Sequence, residues 1–234
     1  MHPDHHTSKQ FDADLEQIRA HVLLMGGLVE RQLELALEAL KSSDTGPADR
    51  SESAEIEINR LEVSIDELCT SLIARRQPNA IDLRLLLTVY KTITDLERIG
   101  DEAKKIGLMA RQLRRDRWQF PCIAQVQRMG AIVIDMLRRS LDAFSRMDST
   151  DAPAVVMRDT HVDEEFAALL RTGLSFMLED PRTISAGLDL VFVVKSLECA
   201  GDHAKNVAEH VVYAISGANV RHADFAALQR AAIE

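Results

Sequence analysis

The chain has 234 residues and sets 28 Lys and Arg against 37 Asp and Glu, a formal charge of −9 with a pI near 5.4. That balance excludes a general nucleic-acid binder, which needs a basic footprint, and a hydrophobic content of 46% excludes a disordered chain. Aromatics make up only 4%, while Leu, Ala, Glu and Arg recur at spacings of three and four, so the expected fold class is all-α.

Residues 1–10, Met1-His2-Pro3-Asp4 onward, read as a flexible N-terminus without an apolar stretch that could serve as a signal peptide. Helix one is expected from Phe11 to Lys41 and ends at the polar Ser42-Ser43-Asp44-Thr45-Gly46-Pro47. Helix two covers Ala48 to Arg76 and stops at Gln77-Pro78-Asn79; helix three runs from Ala80 to about Arg114. A hinge at 116–121 then separates the halves. The second half repeats the plan with helices over 122–147, 154–178 and 183–216, broken at the loop Asp148-Ser149-Thr150-Asp151-Ala152-Pro153 and at Glu179-Asp180-Pro181, and a tail over 219–234 closes the chain.

Two tandem three-helix repeats follow, 11–115 and 122–218, as an elongated molecule of six long antiparallel helices joined by short loops. Gly26-Gly27 and Gly130 sit at similar places in the first helix of each half. Glycine inside a helix costs up to about 1 kcal/mol against Ala, so close packing or a bend is expected there.

The three cysteines, Cys69, Cys122 and Cys199, form no paired motif. A disulfide framework is not expected, and a reducing cytoplasm fits. The richest apolar run, Leu188 to Leu197, is interrupted by Asp189 and Lys195 and is too short to span a bilayer. No membrane insertion is expected.

The distinctive feature is a repeated acidic doublet. Glu97 and Asp101 stand four apart in Leu-Glu-Arg-Ile-Gly-Asp, and Glu198 and Asp202 stand four apart in Leu-Glu-Cys-Ala-Gly-Asp, each copy continuing into Ala-Lys at 103–104 and 204–205. Residues four apart are neighbours on a helix face, and like charges there destabilise the helix by a few tenths of a kcal/mol. Glu62 with Asp66 and Asp159 with Asp163 repeat the spacing on the preceding helices. An antiparallel pair in each half would therefore bring four carboxylates together, on or near the surface.

A surface acid is ordinarily a solvated side chain, and Lys105 and Lys205 are placed to form local ion pairs worth little. The recurrence on adjacent helices in both halves is what points to metal. Carboxylate oxygens suit Mg, Mn or Fe, and His161 or His203 nearby would admit Fe or Zn. A buried di-iron reaction centre would want Glu-x-x-His pairs facing a bundle core, and no such pair accompanies the doublets.

At these residues the chain resembles the PhoU family. Met25 to Glu30, Leu61 to Glu67, Arg75-Arg76-Gln77-Pro78 with Asp82-Leu83-Arg84, and Leu96 to Asp101 look like that family's first repeat. Asp159 to Asp163, Met177 to Asp180 with Arg182-Thr183-Ile184, and Glu198 to Asp202 with Asn206 look like its second, so that the likeness covers about residues 9 to 222. Lys105 stands where the first motif commonly has Asn, and Cys199-Ala200 replaces the usual Arg-Ile.

The resemblance implies metal clusters on paired E(D)-x-x-x-D motifs, which fall on Glu62, Asp66, Glu97 and Asp101 in one half and Asp159, Asp163, Glu198 and Asp202 in the other. With the donor types present, Fe or Zn is expected first, with Mg or Mn as alternatives. The resemblance further implies a cytoplasmic, homodimeric, non-catalytic regulator that couples the ATPase subunit of a phosphate ABC transporter to its sensor histidine kinase. Such a protein holds the phosphate-starvation response down when phosphate is ample. Two other readings compete: a metal-free helical adaptor whose acidic faces meet a basic partner, and a carboxylate-metal phosphohydrolase, for which no separate nucleophile or general base is evident.

Overall fold

A computed structural model describes residues 5–42, 46–115, 122–221 and 223–233, with side chains described from residue 10 onward and not at 115. Among these described residues seven α-helices follow in order: α1 (His5–Lys41), α2 (Gly46–Arg76), α3 (Ala80–Arg115), α4 (Ile123–Arg146), α5 (Ala152–Glu179), α6 (Ile184–Ser216) and α7 (Phe225–Ile233), with one 3-10 turn at Pro181–Thr183. Among the described residues there is no strand. The all-α expectation holds, and the long helices end where the sequence breaks.

Two differences stand out. Helix α1 begins at His5 rather than Phe11, so residues 5–10, expected outside the helix, belong to it. The tail contains α7, whose Leu228, Ala231 and Ala232 are buried; a nine-residue segment is too short to show a helical period clearly. The expected hinge at 116–121 lies outside the described residues.

Helices α1, α2 and α3 pack on one another, as do α4, α5 and α6, which gives two three-helix bundles. The bundles share one core. Buried residues of all seven helices form a single contiguous apolar cluster, from Ile18 and Met25 through Leu96 and Ile99 to Phe144, Leu197 and Leu228. The most extensive contact of any helix pair is between α3 and α6, one from each half, and α1 also meets α4. All three cysteines are free.

The apolar stripes fall as the spacing demands. Val89, Leu96, Ile99, Ala103, Ile106 and Leu113 of α3 are buried, as are Leu190, Leu197, Ala204, Val207 and Val211 of α6. Glu97 and Asp101 of α3 and Glu198 and Asp202 of α6 fall beside those stripes and are half-buried. Arg111, from the basic run at the end of α3, is taken up by Asp49 at 2.6 Å and Glu52 at 2.8 Å on α2. Those contacts fix α2 and α3 antiparallel, with the start of one beside the end of the other.

Candidate functional site

On α2 and α3 the antiparallel packing brings the first two doublets together. Burial pushes the Glu62 carboxyl above its usual value, and Glu97, Asp66 and Asp101 push it further. Glu97 is raised in the same way, by burial first and then by Asp101. All four acids are half-buried. The cation that opposes them is Arg98, 3.7 Å from Glu97 and itself well exposed; Lys105 instead donates to Glu102 at 2.7 Å. Glu62, Asp66 and Asp101 make no ion pair among the described residues.

The second quartet is assembled in the same way from α5 and α6, and Asp163 is raised by burial and then by Asp202 and Glu198. Its surroundings differ. Lys205 donates to Asp159 and, at 2.8 Å, to Asp202, and Lys195 donates to Glu198. Burial would lower the Lys205 ammonium, yet its two carboxylate partners hold it well above the ordinary lysine value. The expectation of surface acids needs one correction: Asp159 is buried, at 7% exposure, because it lies between Val155 and Val162 on the stripe α5 buries and is covered by Lys205.

Each quartet is thus brought together, but not clenched. Among the described residues no three His, Cys, Asp or Glu side chains converge tightly enough to hold one ion as they stand. The donor chemistry still fits a metal at the first quartet, where four carboxylate groups share a half-buried patch with little compensating charge. At the second, the ammonium groups of Lys205 and Lys195 already take one oxygen each of Asp159, Asp202 and Glu198.

His161 is exposed and lines a hollow with Ala131, Ile132, Asp135 and Arg158 on the α4 side. His203 is committed elsewhere. Its Nδ1 donates to Asp95 Oδ1 at 2.7 Å, while Asp95 Oδ2 accepts from His210 Nε2 at 2.8 Å and Oδ1 also accepts from Asn206 Nδ2 at 3.2 Å. Asp95 is on α3 and its three partners are on α6, so the buried cluster crosses between the bundles. Burial would raise the Asp95 carboxyl, but the donors from His203, His210 and Asn206 outweigh it and draw it down to about 2. Asp95 stands two residues before Glu97, and His203 directly follows Asp202; the cluster therefore fixes the two acid-bearing helices against each other.

Sequence reasoning missed Asp95. A signal was present: Thr88, Thr92 and Asp95 recur at helical spacing in α3 and are all buried, a polar line beside the apolar stripe that calls for polar partners on another element.

The PhoU domain family matches the chain twice, at residues 22–110 and again at 126–211. The chain belongs to the PhoU family. Each match contains one acidic quartet. A Pseudomonas aeruginosa protein named phosphate-specific transport system accessory protein PhoU homolog is 44% identical over 218 residues, which is 93% of this chain and 90% of that protein. Crystal structures of two PhoU proteins superpose closely. The one from Pseudomonas aeruginosa has a TM-score of 0.86 at 43% identity over 89% of this chain and 100% of that chain. The other, the phosphate transport system regulatory protein PhoU from Streptococcus pneumoniae, has a TM-score of 0.82 at 28% identity over 90% of this chain and 99% of that chain. The PhoU fold, two three-helix repeats, is therefore the fold of this chain.

Proposed function

We propose that this chain regulates phosphate uptake and phosphate homeostasis as a non-catalytic accessory of a phosphate transport system. One observation carries the reading: both repeats belong to the PhoU family, and close relatives over nearly the whole chain are named for phosphate transport, as accessory and as regulatory proteins. In this reading the chain acts in the cytoplasm as a homodimer. It couples the ATPase subunit of the phosphate ABC transporter to the sensor histidine kinase, and it keeps starvation genes silent while phosphate is ample. Among the described residues no helix is long and apolar enough to cross a membrane, so contact with a membrane transporter would be made by docking.

Metal binding forms the second part of the proposal. Glu62, Asp66, Glu97 and Asp101 are the residues that would hold it. The half-buried, mutually repelling carboxylates of this quartet support that choice. A bound cation would relieve their repulsion and tie α2 to α3. Fe or Zn is proposed first, Mg or Mn second.

Deletion of the gene tests the regulatory reading, with a phosphate-starvation reporter measured in ample phosphate. Constitutive reporter expression, reversed by the wild-type chain, is the expected result. Expression that stays low without the chain overturns it.

A further inference from the structure

The two acidic quartets come from one repeated motif yet meet different cations. In the second half, the ammonium of Lys205 lies between Asp159 and Asp202 and that of Lys195 lies on Glu198. In the first half the repeat-equivalent lysine is Lys104, which follows Asp101 as Lys205 follows Asp202. Lys104 does not reach the quartet. It lies 3.7 Å from Glu55, an acid 5% exposed on α2, which also accepts from Gln32 Nε2 at 3.0 Å.

The difference has a sequence cause. Taking Glu62 as the equivalent of Asp159, the position matching Glu55 in the second half is Ala152, which is buried and apolar. Lys104 therefore has a carboxylate of its own two turns away along α2. Ala152 offers Lys205 no such partner along α5, and its ammonium lies on the quartet.

We infer that Lys205 is the resident cation of the second quartet and that, with Lys195, it keeps divalent metal out of that half, so that metal is taken only by Glu62, Asp66, Glu97 and Asp101. The inference rests on the metal reading of the first quartet. A divalent ion entering the second quartet would have to displace an ammonium half-buried between two carboxylates. An ion entering the first displaces nothing comparable, because Arg98 is exposed and 3.7 Å away. The family motif is then used twice with two outcomes: one half able to respond to metal, and one locked by its own lysine.

The test counts bound metal on the full chain, stripped with chelator, loaded with Mn²⁺ or Zn²⁺, dialysed, and measured by elemental analysis and calorimetry. Four proteins are compared: wild type, Glu97→Ala with Asp101→Ala, Lys205→Met, and Lys205→Met with Asp159→Asn. The expected result is one centre in wild type, none in the first-quartet variant, a second centre in Lys205→Met, and its loss when Asp159→Asn is added. Metal kept by the first-quartet variant overturns the inference, and that arm needs no change at Lys205. A folded Lys205→Met that binds no more than wild type also overturns it. If wild type binds nothing while Lys205→Met binds one centre, the metal reading of the first quartet falls and the assignment of Lys205 stands.

Discussion

Leu141 of α4 packs onto the bare backbone of Gly26 in α1, its Cδ2 only 2.5 Å from where a β-carbon would stand. The repeat returns the contact in mirror form: Leu37 of α1 lies over Gly130 of α4 at the same 2.5 Å. Each bundle's first helix thus supplies a glycine notch and a leucine ridge, and the antiparallel crossing seats both. The neighbouring Gly27 meets nothing within 4 Å.

Opposite outcomes follow for adjacent glycines. Gly26→Ala gains up to about 1 kcal/mol of helix propensity but overpacks Leu141, which costs about 1–3 kcal/mol, for a net loss near 1 kcal/mol. Gly27→Ala keeps the gain alone. Urea unfolding of both variants checks this, and the Gly26→Ala loss should vanish in a Leu141→Ala background. Equal effects at the two positions would mean that the notch is not close-packed.

A second prediction concerns Asp95. A carboxyl whose folded value is about 2, against roughly 3.9 unfolded, contributes stability that is fully present above the unfolded value and is lost as pH falls toward the folded one. The shift corresponds to on the order of 2 kcal/mol. Asp95→Asn should therefore destabilise the chain by about that amount at neutral pH. The gap between variant and wild type should narrow as pH drops from about 4 toward 2. Denaturant melts at several pH values provide the check; a gap independent of pH would show that burial, not the ionised cluster, sets the contribution.

Asp95 also marks where the sequence stopped being legible. Helix ends were readable because Gln77-Pro78-Asn79 and Glu179-Asp180-Pro181 are strong local breakers, and the inward stripes of α3 and α6 follow from a 3.6-residue period. The pairing of doublets across α2 and α3 was readable as well, since short loops force antiparallel neighbours. What local pattern does not encode is a partner on the far repeat: His203, His210 and Asn206 reach Asp95 from more than 100 positions along the chain. The split between Lys104 and Lys205 was hidden for the same reason, because it turns on whether residue 55 or 152 on another helix carries an acid.

A third prediction addresses the first quartet without metal. Glu97 is raised by burial and by Asp101, and it raises Glu62 in turn, so its negative charge opposes folding. Glu97→Gln in chelator-treated protein should raise stability by a few tenths of a kcal/mol to about 1 kcal/mol. Removing a charge from the lysine-filled site, by Asp202→Asn, should lower it, because Lys205 loses a partner at 2.8 Å. Thermal melts of the two variants side by side would show the contrast, and a loss of stability in both would contradict the repulsion argued for the first half.

The turn that sets α2 against α3 offers the last prediction. Gln77 is exposed and left-handed, with φ of 46°, and its N–H donates to Ile73 O at 3.2 Å to end α2. Two residues on, Asn79 Oδ1 accepts from the N–H groups of Ile81 at 2.9 Å and Asp82 at 3.1 Å, capping α3. A left-handed backbone disfavours any residue with a β-carbon by roughly 1 kcal/mol, and an Asn cap is worth about 1 kcal/mol against Ala. Gln77→Gly should therefore stabilise the chain and Asn79→Ala destabilise it, by similar amounts. Because this turn joins the helices that carry Glu62, Asp66, Glu97 and Asp101, fraying it should also loosen that quartet. Hydrogen exchange at Ile81, Asp82 and Leu83 reads the cap directly: faster exchange there in Asn79→Ala, with α6 amides unchanged, is the expected pattern, and uniform acceleration across both bundles would instead mark global destabilisation.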